Sequence, residues 1–236
     1  MQRLGKLNAV LPFVRCKTTL ITGPPGGGKG TISKKMIQDF QFHHISSGDM
    51  LRSEVRMGTP FGLQAKAHMQ SGELVPDDLV VDMVLKQVEL ASTARVLLDG
   101  FPRTKAQAEA LERKQQVDIV IQLLVPNDEI LKRISSRWIH PASGRTYAKD
   151  YNPPKVDGRD DLTGEPLVQR DDDKPEAVRA RLQEYDNLTL PLLQFYKEKG
   201  CLYSFDGNDL PDLVAKDRRS DAIYASLKPF MEAKLS

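Results

Sequence analysis

Hydrophobic positions along this chain switch between two periods. The run Lys17-Thr-Thr-Leu-Ile-Thr22 is β-prone and stops at Gly23; from Gly28 to Phe40, Ile32, Met36, Ile37 and Phe40 recur at helical spacing. Strand patterns return at His43–Ser46, Arg95–Leu98, Asp118–Val125 and Cys201–Phe205. Helical patterns fall near 49–57, 61–71, 77–91, 104–116, 127–137 and 175–199. Strands separated by helices predict an α/β fold, with a central parallel sheet flanked by helices. Gly200 is placed to end the last of these helices in a left-handed conformation, and Pro191 predicts a kink within it.

One stretch breaks the alternation. His140–Asp173 holds four prolines, three glycines and many aspartates. A long irregular segment of this kind inside a folded unit is typically a functional lid or a disordered insert. Trp138, Ile139, Tyr147, Tyr151, Leu162, Leu167 and Val168 offer it a small core of its own, which favours the lid.

Composition narrows the classes. No stretch approaches the ~18 uninterrupted apolar residues of a membrane helix. The two cysteines, Cys16 and Cys201, exclude a disulfide scaffold and a multi-cysteine zinc site. The 34 basic and 32 acidic residues leave a net charge of +2, which gives no case for nucleic acid. At ~150 residues per domain, 236 residues make about one and a half domains. The charge is uneven, however: residues 1–38 contain Arg3, Lys6, Arg15, Lys17, Lys29, Lys34 and Lys35 and no acid before Asp39. Leu4, Leu7, Val10, Leu11 and Val14 add a partly amphipathic pattern. Residues 1–16 therefore read as a mitochondrial targeting leader, with a cytoplasmic location as the alternative.

The densest local signal is Gly23-Pro-Pro-Gly26-Gly27-Gly28-Lys29-Gly30-Thr31. Between a strand and a helix, glycines let backbone N–H groups converge on a polyphosphate, the helix adds its positive N-terminus, and Lys29 supplies a mobile cation. Gly30 stands where the general phosphate loop has Ser or Thr, which weakens a direct side-chain ligand for Mg²⁺. Arg95-Val-Leu-Leu-Asp99-Gly100 reads as a buried strand ending in a carboxylate, placed to meet the hydration shell of a Mg²⁺ ion beside Lys29.

These residues resemble the adenylate kinase family. GPPGGGKGT at 23–31 is followed in order by SSGDMLR at 46–52, SGELVPDDLV at 71–80 and LLDGFPRTKAQAEAL at 97–111. RWIHPASGRTY at 137–147, YNPPK at 151–155, DDLTGEPLVQRDDDKPE at 160–176 and VRARLQEY at 178–185 continue the series. The WIHPASGR and QR-x-DDKPE spellings look most like mitochondrial-matrix GTP:AMP phosphotransferases among the long-lid members. The resemblance implies a P-loop nucleoside monophosphate kinase core at 17–236, with a monophosphate-binding insert at 46–75 and a lid at 137–174. It implies transfer of a phosphoryl group from a purine nucleoside triphosphate with Mg²⁺ to AMP, by a monomer, with GTP favoured as donor, ATP or ITP possible, and an ATP:AMP adenylate kinase as the alternative.

That chemistry attacks with a phosphate oxygen already ionised at pH 7, so positioning and charge neutralisation carry it and no general base is required. Arginine forks suit the task. The resemblance assigns Lys29, Arg103, Arg133, Arg137, Arg170 and Arg181 to catalysis, and Gly26–Thr31 with Arg137 to the triphosphate. Arg133 and Arg137, four apart, are expected on one face of a helix. To AMP it assigns Ser47, Arg52, Glu73, Leu74, Val75, Gly100, Arg103, Gln107, Arg170 and Arg181, with the Gln107 amide along the adenine edge. Glu73 stands where many relatives have Lys. Arg145 serves the lid or faces solvent. His140-x2-Ser143 and Asp160-x2-Thr163 occupy the frame that other relatives fill with four zinc-binding cysteines, and read as a hydrogen-bonded tetrad with no zinc. The acidic run Asp171–Asp173 reads as a hinge face or a solvated loop.

Two other readings compete. A UMP/CMP kinase would have a shorter lid. A non-catalytic nucleotide-binding regulator would have lost Lys29 or the lid arginines, and all are present.

Overall fold

The computed structural model describes residues 17–91, 95–148, 152–215 and 218–236. The basic leader at 1–16 and Tyr151 lie outside the described residues. Five parallel strands form one sheet in the order β2-β3-β1-β4-β7: β1 Lys17–Thr22, β2 His43–Ser46, β3 Arg95–Asp99, β4 Ile119–Leu123 and β7 Leu202–Phe205. The helices between them are α1 (Lys29–Phe40), α2 (Ser47–Met57), α3 (Pro60–Ser71), α4 (Asp77–Leu90), α5 (Lys105–Lys114), α6 (Asn127–Ser135), α7 (Pro175–Glu184) and α8 (Leu190–Glu198). α9 (Pro211–Ala215) and α10 (Arg219–Leu235) end the chain. A separate antiparallel pair, β5 (Arg137–Ile139) and β6 (Thr146–Ala148), carries the predicted lid segment.

The strands read as continuous apolar runs because both faces are covered. Their period of two divides the sheet between two cores. Leu20, Val96, Leu98 and Val120 face α4, α5 and α8, where they meet Val84, Leu111, Leu192 and Tyr196. Ile21, Leu97, Ile119 and Ile121 face α1 and α10, against Ile32, Met36, Leu227 and Met231. Each fully buried Leu or Ile contributes roughly 1.5–3 kcal/mol.

Register brings the chemistry together. Asp99 lies level with Ile21 on β1 and with Ser46 on β2. The loop after β1, the start of α2 and the Asp99 carboxylate therefore share the carboxyl edge of the sheet, where ligands of parallel sheets bind.

Two expectations are corrected. The helix expected over 127–137 ends at Ser135. Arg137 instead opens β5, because Arg137-Trp-Ile139 pairs with Thr146–Ala148. Arg133 and Arg137 thus do not share a helix face. The helix expected over 175–199 is two helices joined by a π-turn, Tyr185–Thr189, in which the Leu190 N–H reaches back to Tyr185 O. Pro191 lacks the N–H that would continue the ordinary ladder, and the wide turn absorbs the mismatch. Gly200 has φ +71°, as expected of a left-handed helix end. In the lid, Ile139, Tyr147 and Leu167 are buried, but Trp138 is 41% and Leu162 76% exposed, so the small core is narrower than the sequence implied.

Candidate active site

The carboxyl edge of the sheet opens into a cleft of about 1220 Å³. Its floor is the glycine loop. Gly26 and Gly28 have φ of +75° and +85°, and a Cβ on Gly26 would strike Ile134 at 2.6 Å. The loop therefore demands glycine for both conformation and space. Gly30 opens to the cleft with nothing within 4 Å of a Cβ position, so packing does not explain the missing hydroxyl there. Thr31 also lines the cleft.

Lys29 Nζ donates to Gly23 O (2.7 Å) and Pro24 O (2.8 Å) of its own loop. Burial pushes its pKa down to about 7. Asp99 opposes that shift, while Arg103, Arg181 and Arg137 add to it. Phosphate oxygens would offer the ammonium stronger, anionic acceptors.

The walls are cationic. Arg52, Arg103, Arg133, Arg137, Arg170 and Arg181 all line the cleft. Burial lowers the pKa of Arg103 to about 10, with Arg181 and Arg52 adding repulsion, and of Arg170 to about 9, with Arg52 and Arg137 adding theirs. Arg103 and Arg170 stay charged at pH 7, so the cluster stores repulsion that an anion relieves.

Part of that charge is already matched. Arg137 forms a forked pair with Asp173, with Nε to Oδ2 at 2.8 Å. Arg181 Nη1 lies 2.9 Å from both the carbonyl and the Oδ2 of Asp172. Asp172 and Asp173 are thus counter-ions within a 3₁₀ turn, whereas Asp171 is exposed beside Lys174. Arg52 pairs with Asp49 at 2.5 Å. Arg103 Nε donates to Gly100 O (2.8 Å), and its carbonyl accepts from Thr189 Oγ1 of the π-turn (3.1 Å).

Asp99 sits beside these cations with Ser33 Oγ donating to its Oδ2 at 3.2 Å and His44 Nε2 at 3.6 Å. It lines the cleft as an anionic oxygen donor, the type that a hard divalent cation or its waters take, so the residues present fit Mg²⁺.

The other assigned residues divide between the cleft and its surroundings. Gly100 and Leu74 line the cleft. Ser47 is buried and donates to Gly100 O at 2.7 Å, Val75 belongs to the apolar core, and Glu73 lies exposed, 3.5 Å from His68. Gln107 is buried behind the cleft. Its Oε1 accepts from Arg103 N and its Nε2 donates to Asp77 Oδ1, both at 2.7 Å, so the amide braces the Arg103 backbone and the start of α4.

In the lid, His140 Nδ1 meets Ser143 Oγ at 2.7 Å, and Asp160 Oδ2 accepts from the Thr163 N–H (2.9 Å) and hydroxyl (3.0 Å). Arg145 takes the lid alternative of its two readings, and two further partners, Tyr147 and Glu165, were missing from the sequence reading. Arg145 forks onto Asp160 at 2.7 and 2.6 Å, Tyr147 donates to it at 2.9 Å, and Glu165 pairs with His140 Nε2. The Arg145 hydrogen bonds hold the Asp160 carboxyl well below the usual carboxylate range. Among the described residues no group of three or more His, Cys, Asp or Glu is set to hold a metal ion.

Comparison with known proteins agrees with this geometry. The adenylate kinase family model matches residues 21–201. An adenylate kinase from Chloroherpeton thalassium is 46% identical over 205 residues, covering 84% of this chain and 94% of that protein. One from Laccaria bicolor is 43% identical over 217 residues, covering 89% and 84%. With the glycine loop, the arginine-lined cleft and the counter-ion turn in one place, the chain belongs to the adenylate kinase family and is a nucleoside monophosphate kinase.

Proposed function

We propose that this enzyme transfers the terminal phosphoryl group of GTP, in preference to ATP or ITP, to AMP, giving two nucleoside diphosphates. The observation that carries phosphoryl transfer between two nucleotides is the size of the cleft. At about 1220 Å³ it exceeds the ~300–1,000 Å³ usual for one small ligand, with a phosphate loop on its floor and Arg52 and Arg103 on its wall. Lys29, Arg103, Arg137, Arg170 and Arg181 stabilise the charge spread over the transferring group. Bound Mg²⁺, with Asp99 to hold its shell, would neutralise the triphosphate.

Preference for GTP is supported by the WIHPASGR and QR-x-DDKPE spellings. It is also supported by Asp221 at the cleft wall, held there by Lys35 (2.5 Å) and Arg218 (2.6 Å). A carboxylate accepts from the N1–H and exocyclic amine of guanine, a donor pair that adenine lacks. The Asp160–Arg145–Tyr147 network supports a lid that closes without zinc and excludes water from the transfer. The acid-free leader supports delivery to the mitochondrial matrix. The family resemblance supports a monomer, the balanced charge gives no case for a nucleic-acid partner, and no described helix is long and apolar enough to cross a membrane.

A coupled assay crossing ATP, GTP and ITP as donors with AMP, GMP, UMP and CMP as acceptors tests the reading. The highest kcat/KM is expected for GTP with AMP. AMP failing with every donor would overturn the function, and ATP outrunning GTP would overturn the preference. One zinc per chain surviving dialysis would contradict the metal-free lid. A reporter fused to residues 1–38 that stays in the cytosol would contradict the matrix assignment.

A further inference from the structure

Three largely buried side chains form a chain of charge beside the phosphate loop. Glu129 Oε1, on α6, lies 2.6 Å from Arg133 Nη2; Glu129 Oε2 lies 2.6 Å from Arg219 Nε, on α10. Arg219 Nη1 also donates to Asp206 O at 2.7 Å and to Asn208 Oδ1 at 3.0 Å. The three side chains are only 16%, 19% and 9% exposed.

Arg219 is a poor choice for its own helix. It is the first residue of α10, where the helix dipole presents its positive end, and its burial adds a desolvation penalty. Its effect is elsewhere: it ties the first turn of α10 to α6 and to the loop after β7. The next residue, Ser220, then seats against the phosphate loop. A Cβ on Gly28 would lie 2.7 Å from Ser220 Oγ and 3.8 Å from Arg133 Nη1.

We propose that Glu129 and Arg219 are positioning residues that aim Arg133 at the nucleoside triphosphate; this rests on reading Arg133, assigned above to catalysis, as a cation of the triphosphate side because it lines the cleft beside Gly28. Glu129 Oε1 lies against one guanidinium nitrogen, Nη2, as a buried ion pair at 2.6 Å without the geometry of a hydrogen bond. Arg219 engages the other carboxylate oxygen, so Glu129 does not close a fork on Arg133. Arg133 Nη1, the nitrogen beside Gly28, stays available to the ligand.

The test is a double-mutant cycle on the full-length enzyme with Glu129→Gln, Arg133→Ala and the pair together. Donor and AMP concentrations are varied separately, and Tm is recorded for each protein. Each single variant is expected to raise the donor KM about tenfold and leave the AMP KM within about twofold, and the double variant is expected to match Arg133→Ala alone. A folded Glu129→Gln enzyme with an unchanged donor KM would overturn the proposal. So would donor and AMP KM rising together, or a double variant that multiplies the single effects. If Arg133→Ala itself leaves the donor KM unchanged, the reading of Arg133 fails and the proposal falls with it. Should Glu129→Gln not fold, Arg219→Lys keeps the charge but not the fork. It is expected to raise the donor KM several-fold, and no rise would overturn the proposal.

Discussion

Lys29 makes triphosphate binding depend on protons. Its folded pKa is depressed to about 7 by burial, whereas an unfolded chain holds that proton up to ~10.4. Between those values the unfolded state binds more protons, so this group makes stability rise with pH across that window. A bound triphosphate favours the charged form, so binding should take up a proton and weaken by up to about tenfold per pH unit above 7. Calorimetry at pH 8.5 in buffers of different ionisation enthalpy should show uptake of close to one proton; no uptake would contradict this account. Arg103 offers a cleaner mutational test. Gln107 and Thr189 hold its backbone, and its Nε donates to Gly100 O, so truncation costs the fold one side-chain hydrogen bond. Arg103→Ala should lower kcat/KM by ~10²-fold or more with Tm little changed. Near-full turnover in that variant would show that Arg103 is not needed for transfer.

At the scale of elements, α2 and α3 pack so closely that a side chain on Gly62 has nowhere to go. A Cβ there would lie 2.2 Å from Glu54 O, a backbone atom that cannot swing aside. Gly62→Ala should force the two helices apart, at a cost of roughly 1–3 kcal/mol. It should also raise the AMP KM through Arg52 on α2. Thermal melts and initial rates check both, and an unchanged Tm would show that the pair is looser than its geometry. The α1 stripe of Ile32, Met36 and Phe40 was legible in the sequence because one periodicity decided it. The 127–137 region was not: Arg137 becomes a strand residue only through pairing with Thr146–Ala148, and no local pattern records that partner. Likewise, Glu129 four residues before Arg133 is a readable helical pair, but Arg219, ninety positions from Glu129, leaves no local signal. The acids at 172 and 173 were visible; their role as counter-ions depended on β5 bringing Arg137, and α7 bringing Arg181, to them.

Across the whole molecule, several carboxylates titrate below their ordinary range. Asp39 is held down by Lys228 and Tyr224, and Asp160 by Arg145. Burial alone would raise Asp49 and Asp172, but Arg52 outweighs it at the first, and Arg181 and Arg170 at the second. Depressed carboxylates stabilise the fold above the unfolded pKa of ~3.9, and that contribution is lost as pH falls through their folded values. Scanning calorimetry should therefore find Tm falling once the pH drops below about 4, and a flat profile down to pH 3 would contradict the ion-pair account. These pairs tie α1 to α10, the 3₁₀ turn to α7, and one part of the lid to another. The lid hairpin carries the chain's single tryptophan, Trp138 on β5, 41% exposed. All indole emission of this protein therefore originates in the lid. The unlabelled enzyme has a built-in optical probe, whose colour and quenching by iodide report the surroundings of that hairpin alone as nucleotides are titrated in.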